Sequence, residues 1–428
     1  MTGETADEVN KRWSVRPKGS NWGDFGDDDQ IGRLNLITPE RRRAAAQEVR
    51  EGLAFCLSLP LDCPRIQLHP RRFPPEQSFS MRGDDPVMNY PYSRAFPGMK
   101  EVVCDDRVSL SLQYSTQWDA LCHMGYEYDA GGDGAEEVTY YNGFRAHQHV
   151  CGPVDYLHGG EAKAGPYGAH ALGIERIAET GLQGRGVMVD LFAHVGLEAV
   201  PVGYDALMRI LEADEVAVEP GDVLCLRTGF DRALLAQYAD PAAEFDPHRC
   251  SGLDGFDEQL QRWVADSGVA ALVSDNEAVE FMPDFARADA HGIRVPLHHL
   301  CLFKLGIPLG ELFLLSDLAD WLRAKGRSRF FFTAPPLRLP GAVGHSGPAM
   351  QVLSSLSLGP QQRVVTVQVG QGDDAVCLVL GVSPGSVNAL HHMPLPDHFG
   401  EIPRTVLAGE HEIRHEGILR SRQGYNSC

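Results

Sequence analysis

Short apolar runs bounded by Gly, Pro or Asp recur along the chain and predict strands. They are "LAFCLSLPL" (53–61), "GRGVMVDLFAH" (184–194), "GDVLCLRTGF" (221–230) and "GVAALVSDNEAVE" (268–280). "VSLSLQYSTQWDA" (108–120) opens on alternation, Leu110 and Leu112 set against Ser and Gln, and predicts a strand that runs into a polar turn. Between these runs the spacing turns helical, over "YDALMRILEAD" (204–214) and "FDEQLQRWVADSG" (256–268). "DDDQIGRLNLITPERRRAAAQEVREG" (27–52) reads as a turn and then a helix. Thr38 is its cap, Pro39 its first helical residue and Gly52 its stop. Strands alternating with helices predict a mixed α/β architecture.

Elsewhere the patterning weakens. Residues 1–20 are polar and predict a loose segment, and residues 64–100, rich in Pro, Arg and Asp, predict a long loop. Composition shifts after about residue 350, where "QQRVVTVQVGQGDDAVCLVLGVSPGS" predicts two strands around a Gly-Asp-Asp turn ahead of a polar, His-rich tail. A chain of 428 residues, 43% hydrophobic and 22% charged, can bury a large core without staples. Its net charge of −20 argues against a nucleic-acid partner, which needs clustered Lys and Arg. The start, "MTGETADEVNKRW", has no apolar signal region, and no stretch approaches the roughly 18 apolar residues of a membrane helix. The ten cysteines include no CxxC pair and read as reduced thiols, so a cytoplasmic protein with no membrane partner is expected.

The chemistry-bearing residues gather in two places. In "STQWDALCHMG" (115–125), strand alternation puts Gln113, Ser115, Gln117 and Asp119 on one face, and a turn after Asp119 lets His123 swing back towards them. A carboxylate beside an imidazole suits metal binding or acid/base work. Asp119 capping a helix from Ala120, with His123 in its first turn, fits the same spacing. The second place is "LHHLCLFKLGIPLGELFLLSDLADWL" (297–322), with His298, His299 and Glu311 in an apolar run. A carboxylate there is costly to bury unless paired or metal-bound, or else it opens an amphipathic helix facing solvent.

Together these stretches resemble the cyclase family of metal-dependent hydrolases, which includes bacterial kynurenine formamidases and isatin hydrolases. Against the family's H-x-G-T-H-x-D-x-P-x-H, residues 113–123 read Q-Y-S-T-Q-W-D-A-L-C-H. Against its H-x-x-L-L-x-x-G-I-x-I-x-E stand residues 299–311. "YYNGF", "PGDVLCLRTGF", "SDNEAVE" and "APPLRLPGAVG" extend the likeness over roughly residues 20–350. The resemblance implies a swivelling β/β/α fold, an α/β arrangement with a mainly β core flanked by helices. It places the catalytic domain at 21–350, with 351–428 as an extension. It implies a homo-oligomer, dimer or tetramer, acting on a small-molecule substrate through hydrolysis or cyclisation at an amide, formamide or lactam carbonyl.

Residue by residue, the resemblance makes Asp119, His299 and Glu311 metal ligands and His123 the general acid/base. Gln113 and Gln117 stand where the signature has metal-binding histidines. An amide oxygen is a poorer zinc donor than imidazole, so one divalent ion is implied, with Gln117 a weak ligand and Mn2+ favoured over Zn2+. Asp275 is a candidate second partner for His299, or a strand-end turn residue. Tyr140, Tyr141 and Asn142 are candidates for the pocket wall, or for ordinary packing. A degenerate, metal-free binding or scaffold protein is the competing reading, and a cyclase or lyase of secondary metabolism a further one.

Three other patterns point elsewhere. Cys122 beside His123 suggests a nucleophile pair, but sequence neighbours need not face each other and Cys is usually a small buried hydrophobe. His411, Glu412 and His415 match HExxH, yet no histidine follows to serve as third ligand. His391, His392 and His398 read as a polar loop.

Overall fold

The computed structural model describes residues 11–243, 245–282, 287–288, 292–345 and four strands between 352 and 394. The chain divides into two compact units, Met1–Gln351 and Val352–Cys428.

The first unit is a mixed α/β structure built on one seven-stranded sheet. Its strands are β1 (Gln117–Asp119), β2 (Gln183–Asp190), β3 (Val223–Arg227), β4 (Ala271–Ser274), β5 (Leu309–Glu311), β6 (Arg329–Thr333) and β7 (Gly344–His345), in the order β6-β2-β3-β4-β5-β1-β7. The middle four, β2 to β5, run parallel, and β6, β1 and β7 are antiparallel to their neighbours. Parallel strands covered on both faces have no polar side, which is why Val223–Arg227 and Ala271–Ser274 are buried throughout.

Helices flank this sheet: α1 (Pro39–Ala46), α2 (Tyr204–Ala213), α3 (Phe230–Ala239), α4 (Glu258–Ser267) and α5 (Ser316–Ala324). Thr38 caps α1 as its sequence predicts, accepting the Arg41 N–H at 3.3 Å, although the helix stops at Ala46, short of Gly52. Asp257 caps α4 through the N–H groups of Gln259 and Leu260. Among the described residues, no helix is long and apolar enough to cross a membrane.

Several expectations give way to tertiary pairing. The run 108–120 is not one strand. Asp106–Ser109 pairs antiparallel with Glu76–Phe79 in an exposed two-stranded sheet, and a turn separates it from β1, so strand alternation holds only for Gln117 and Asp119. "LAFCLSLPL" makes a lone bridge, Ser58 to Phe313, because Leu59 spends its N–H on the Thr116 hydroxyl and Pro60 has none. The 64–100 segment holds short strand pairs. Residues 11–20 are anchored, with Trp13 buried edge-on against Trp22 at 5.8 Å.

In the second unit, Val352–Gly359, Gln362–Val369, Val376–Ser383 and Ser386–Pro394 form an antiparallel sheet in chain order. His391 and His392 lie in the last of these strands, paired through its ladder, rather than in a loop. His398 and the His411–His415 pattern fall outside the described residues.

Within the first unit, the N-terminal segment holds the element that carries His298 and His299. Pro296–His298 makes a helical turn that continues as a π-helix over His299–Leu305. The N-terminal segment satisfies carbonyls at its end: Trp22 Nε1 donates to Phe303, Asn21 to Lys304 and Leu305, and the Arg33 N–H to Gly306. Gly306 ends the helix at φ +59°, and a Cβ there would lie 2.7 Å from both Gly32 Cα and the Tyr141 ring. Gly306→Ala therefore combines left-handed strain with a collision against backbone, and should lower the unfolding free energy by about 2 kcal/mol or more. Gly326→Ala, at φ +60° but with open space around the new Cβ, should cost only about 1 kcal/mol. Urea denaturation of the two variants measures the difference.

Candidate metal centre

The site begins with a register. β1 pairs antiparallel with β5, setting Gln117 opposite Glu311 and Asp119 opposite Leu309. Trp118 takes the other face, packing edge-on against Phe313 and Phe332 and donating its Nε1–H to Ala334 O at 2.8 Å. Alternation then sends Gln117, Asp119 and Glu311 to one side of the sheet, all at most 1% exposed. Gln117 Nε2 donates to Glu311 Oε2 at 2.5 Å.

His298 completes the cluster. Its Nε2 lies 3.2 Å from Glu311 Oε1 and 3.8 Å from Asp119 Oδ2. One ligand atom each from Asp119, His298 and Glu311 lie within 4.8 Å of one another. The far side of the ring is held by Glu280, whose Oε1 is 2.7 Å from His298 Nδ1 and also accepts the His298 backbone N–H at 3.0 Å. A carboxylate on Nδ1 leaves Nε2 as the atom facing the cluster. Burial opposes a charge on His298, but hydrogen bonds to Glu280 and Glu311 outweigh it and raise its pKa well above the usual imidazole value.

The donor set is under-satisfied. Among the described residues, both carboxylate oxygens of Asp119 are buried without a hydrogen-bond partner, as are Gln117 Oε1 and His123 Nδ1. Burial pushes the Asp119 pKa up to about 6, against the pull of His123 and with the push of Glu311. Buried lone pairs stripped of water and left without a partner are destabilising unless a proton or cation takes them up. Two carboxylates and an imidazole nitrogen within 4.8 Å of one another are donors that suit a divalent ion.

His123 Nδ1 stands 3.7 Å from Asp119 Oδ1, with its side chain 22% exposed, so it borders both the cluster and solvent. Gln113 is also brought in, since a Cβ on Gly344 would lie 2.9 Å from Gln113 Nε2 and 3.4 Å from Asp119 Oδ1. Arg72, from the 64–100 segment, reaches within 4.0 Å of Glu311 Oε2.

Other expected residues are used elsewhere. The histidine that meets the carboxylates is His298 and not His299. The His299 ring packs on Tyr126 at 4.4 Å and Phe303 at 5.1 Å, and burial, with Lys304 nearby, lowers its pKa to about 4. The family signature laid on residues 299–311 selects the second of two adjacent histidines, whereas His298, the last residue of the turn before the π-helix, is the one that meets the carboxylates. Asp275 is not the partner of either histidine. Its oxygens accept the N–H and hydroxyl of Thr228 and the N–H of Gly229, closing the turn into α3. The partner is Glu280, at the end of the same "SDNEAVE" stretch, where a second and a third carboxylate are the available signal. Tyr141 is fully buried beside Gly306 with its hydroxyl on Asp29, and Asn142 bonds the backbone of residues 23–29, so both join the N-terminal segment to the core. Tyr140 lies half-buried against Gly125. Cys122 is buried and its thiol pKa is pushed up by that burial, which removes the thiolate a Cys–His nucleophile needs.

Comparison with known proteins bears on the same part of the chain. The sequence profile of the putative cyclase family matches residues 56–280, and that of the flagellar biosynthesis protein FliO matches residues 337–405. No match is found among curated proteins. Among solved structures, the crystal structure of a novel cyclase is 30% identical, covering 79% of this chain and 99% of that one with a TM-score of 0.59. Isatin hydrolase A from Labrenzia aggregata, bound to benzyl benzoate, is 13% identical over 69% of this chain and 91% of its own, with a TM-score of 0.41. Isatin hydrolase A from Ralstonia solanacearum is 16% identical over 73% and 95%, with a TM-score of 0.44. Profile and 30%-identical structure agree: the chain belongs to the putative cyclase family.

Proposed function

We propose that the protein is a metal-dependent hydrolase or cyclase acting on the carbonyl of an amide, formamide or lactam, with one divalent ion held by Asp119, His298 and Glu311. The observation that carries this reading is Asp119, fully buried with both oxygens unpaired beside an imidazole and a second carboxylate. Gln117, with its Oε1 free, is the fourth donor. An oxygen-rich set of this kind favours Mn2+ over Zn2+. When bound, such an ion supplies Lewis acidity for activating water and polarising the scissile carbonyl.

The chain's own residues do the rest. His123, edging into solvent, takes the proton that the attacking water gives up and returns it to the leaving nitrogen, so the C–N bond opens to a carboxylate and an amine. Asp119 Oδ1 stands 3.7 Å from Nδ1, so a proton taken up by that ring is received beside a buried carboxylate. Glu280 keeps His298 turned inward by holding Nδ1 and the backbone N–H together. A metal-free binding protein has the two glutamines in its favour. Against it, that role gives no reason to bury Asp119 unpaired.

Protein purified without chelator should carry close to one metal per chain by elemental analysis, and the Asp119→Ala/Glu311→Ala double variant should carry none. His298→Gln should lose most of it while His299→Gln keeps it, and stoichiometric metal in the double variant would sink the assignment. Glu280→Gln, which leaves the ligands in place, should weaken metal affinity roughly 10–100-fold in a competition titration with a chromophoric chelator. His123→Gln should retain metal yet lose about 10²–10⁴ in kcat on any amide or lactam that the native protein hydrolyses, as read from initial rates.

A further inference from the structure

Arg72 is the cation of the site whose guanidinium makes no hydrogen bond to a described residue, although its charge acts on Glu311, Asp119 and Glu277. Its side chain is 23% exposed and its Nη1 stops 4.0 Å from Glu311 Oε2, too far for a hydrogen bond. Glu311 has no need of it, since its Oε2 accepts from Gln117 Nε2 and its Oε1 faces His298 Nε2. The backbone N–H of Arg72 donates to His69 O, but none of its guanidinium N–H groups bonds a described residue. The structural arginines of this chain behave differently. Arg227 bonds Asp190 at 3.0 Å and the Ser316 hydroxyl at 3.1 Å, and Arg185 takes both oxygens of Asp222 at 2.8 and 3.1 Å.

The surroundings of Arg72 also run against the charge of the whole chain. In a protein of net charge −20, Arg71, Arg72 and Arg294 all come close enough to His69 to reinforce the effect of burial and hold its pKa below the usual value. Arg72 thus belongs to a group of cations gathered around His69. A guanidinium offers a planar fork of donors matched to the two oxygens of a carboxylate.

We infer that Arg72 anchors a carboxylate carried by the substrate, placing an anionic group next to the centre where the scissile carbonyl reacts. This rests on the hydrolase reading above and narrows its substrates to acids. Arg72 selects and orients the substrate, while proton transfer stays with His123.

The test is isothermal titration of the full-length, metal-loaded protein with benzoate and with its uncharged counterpart benzamide. In the native protein benzoate should bind more tightly than benzamide. Arg72→Gln should weaken benzoate roughly tenfold or more and leave benzamide within about twofold, and Arg72→Lys should recover part of the loss. Metal content and urea midpoint, measured on the same samples, should match the native protein. Benzoate binding that Arg72→Gln leaves unchanged, or that disappears only when metal is stripped, puts the anion elsewhere and overturns the inference. So does an equal loss for both ligands, or no benzoate binding to the native protein up to about 10 mM. A native protein that carries no metal but still shows the Arg72-dependent preference would overturn the hydrolase reading and leave the anion site standing.

Discussion

Three carboxylates, those of Asp119, Glu280 and Glu311, are each at most 3% exposed and surround one imidazole. Removing an ion from water costs several kcal/mol even after the protein relaxes, so such a grouping persists only where positive charge repays it. Glu280 is repaid by His298 and by two backbone N–H groups, and Glu311 by His298 and the Gln117 amide. Asp119 has no hydrogen-bond partner for either oxygen among the described residues. Protons and divalent cations compete for the same lone pairs. The raised pKa values of Asp119 and His298 express that pull towards positive charge within the cluster.

The surrounding fold is arranged to keep those groups from separating. β1 and β5 are only three residues each, yet their pairing sets residues 117 and 311 face to face, and Trp118 locks the register from behind by packing edge-on against the stacked rings of Phe313 and Phe332. A slip of one residue would turn Trp118 towards the acids and Asp119 into the aromatic layer. His298 arrives on a helix whose last carbonyls are capped by Asn21, Trp22 and Arg33 from the other end of the unit. The N-terminal segment, polar and unremarkable in composition, is therefore part of the scaffold of the centre.

Much of this is legible in the residues alone, and the failures have physical causes. β2 and β3, with α2 and α4, follow their apolar periodicity because burial of a face or a stripe decides them. Asp119, Gln117 and Glu311 can be placed because a strand offers only two directions. His298 escapes because it stands beside His299, and only the tertiary structure decides which of two adjacent imidazoles faces the acids. Glu280 escapes because the segment "SDNEAVE" holds three acids and only tertiary structure sorts them: Asp275 turns to α3, Glu277 lies near enough to Glu311 to have its pKa raised after burial, and Glu280 reaches His298. Arg72 gives no signal at all, since a cation in a Pro- and Arg-rich loop has no periodicity to place it.

The two glutamines change the chemistry of the centre more than its shape. An imidazole at position 117 would bring a nitrogen ligand and no hydrogen-bond donor to spare once metal-bound and tied down. The amide brings an oxygen ligand and, through Nε2, a donor that holds Glu311 Oε2 at 2.5 Å. That bond takes up one lone pair of Glu311 and fixes the direction in which its other oxygen faces His298. Gln113 lies on the other side of Gly344 from Asp119, but its Nε2 and both Asp119 oxygens stay without a hydrogen-bond partner among the described residues. An amide at position 117 thus holds one acid, Glu311, by a hydrogen bond, and its oxygen is a harder donor than an imidazole nitrogen.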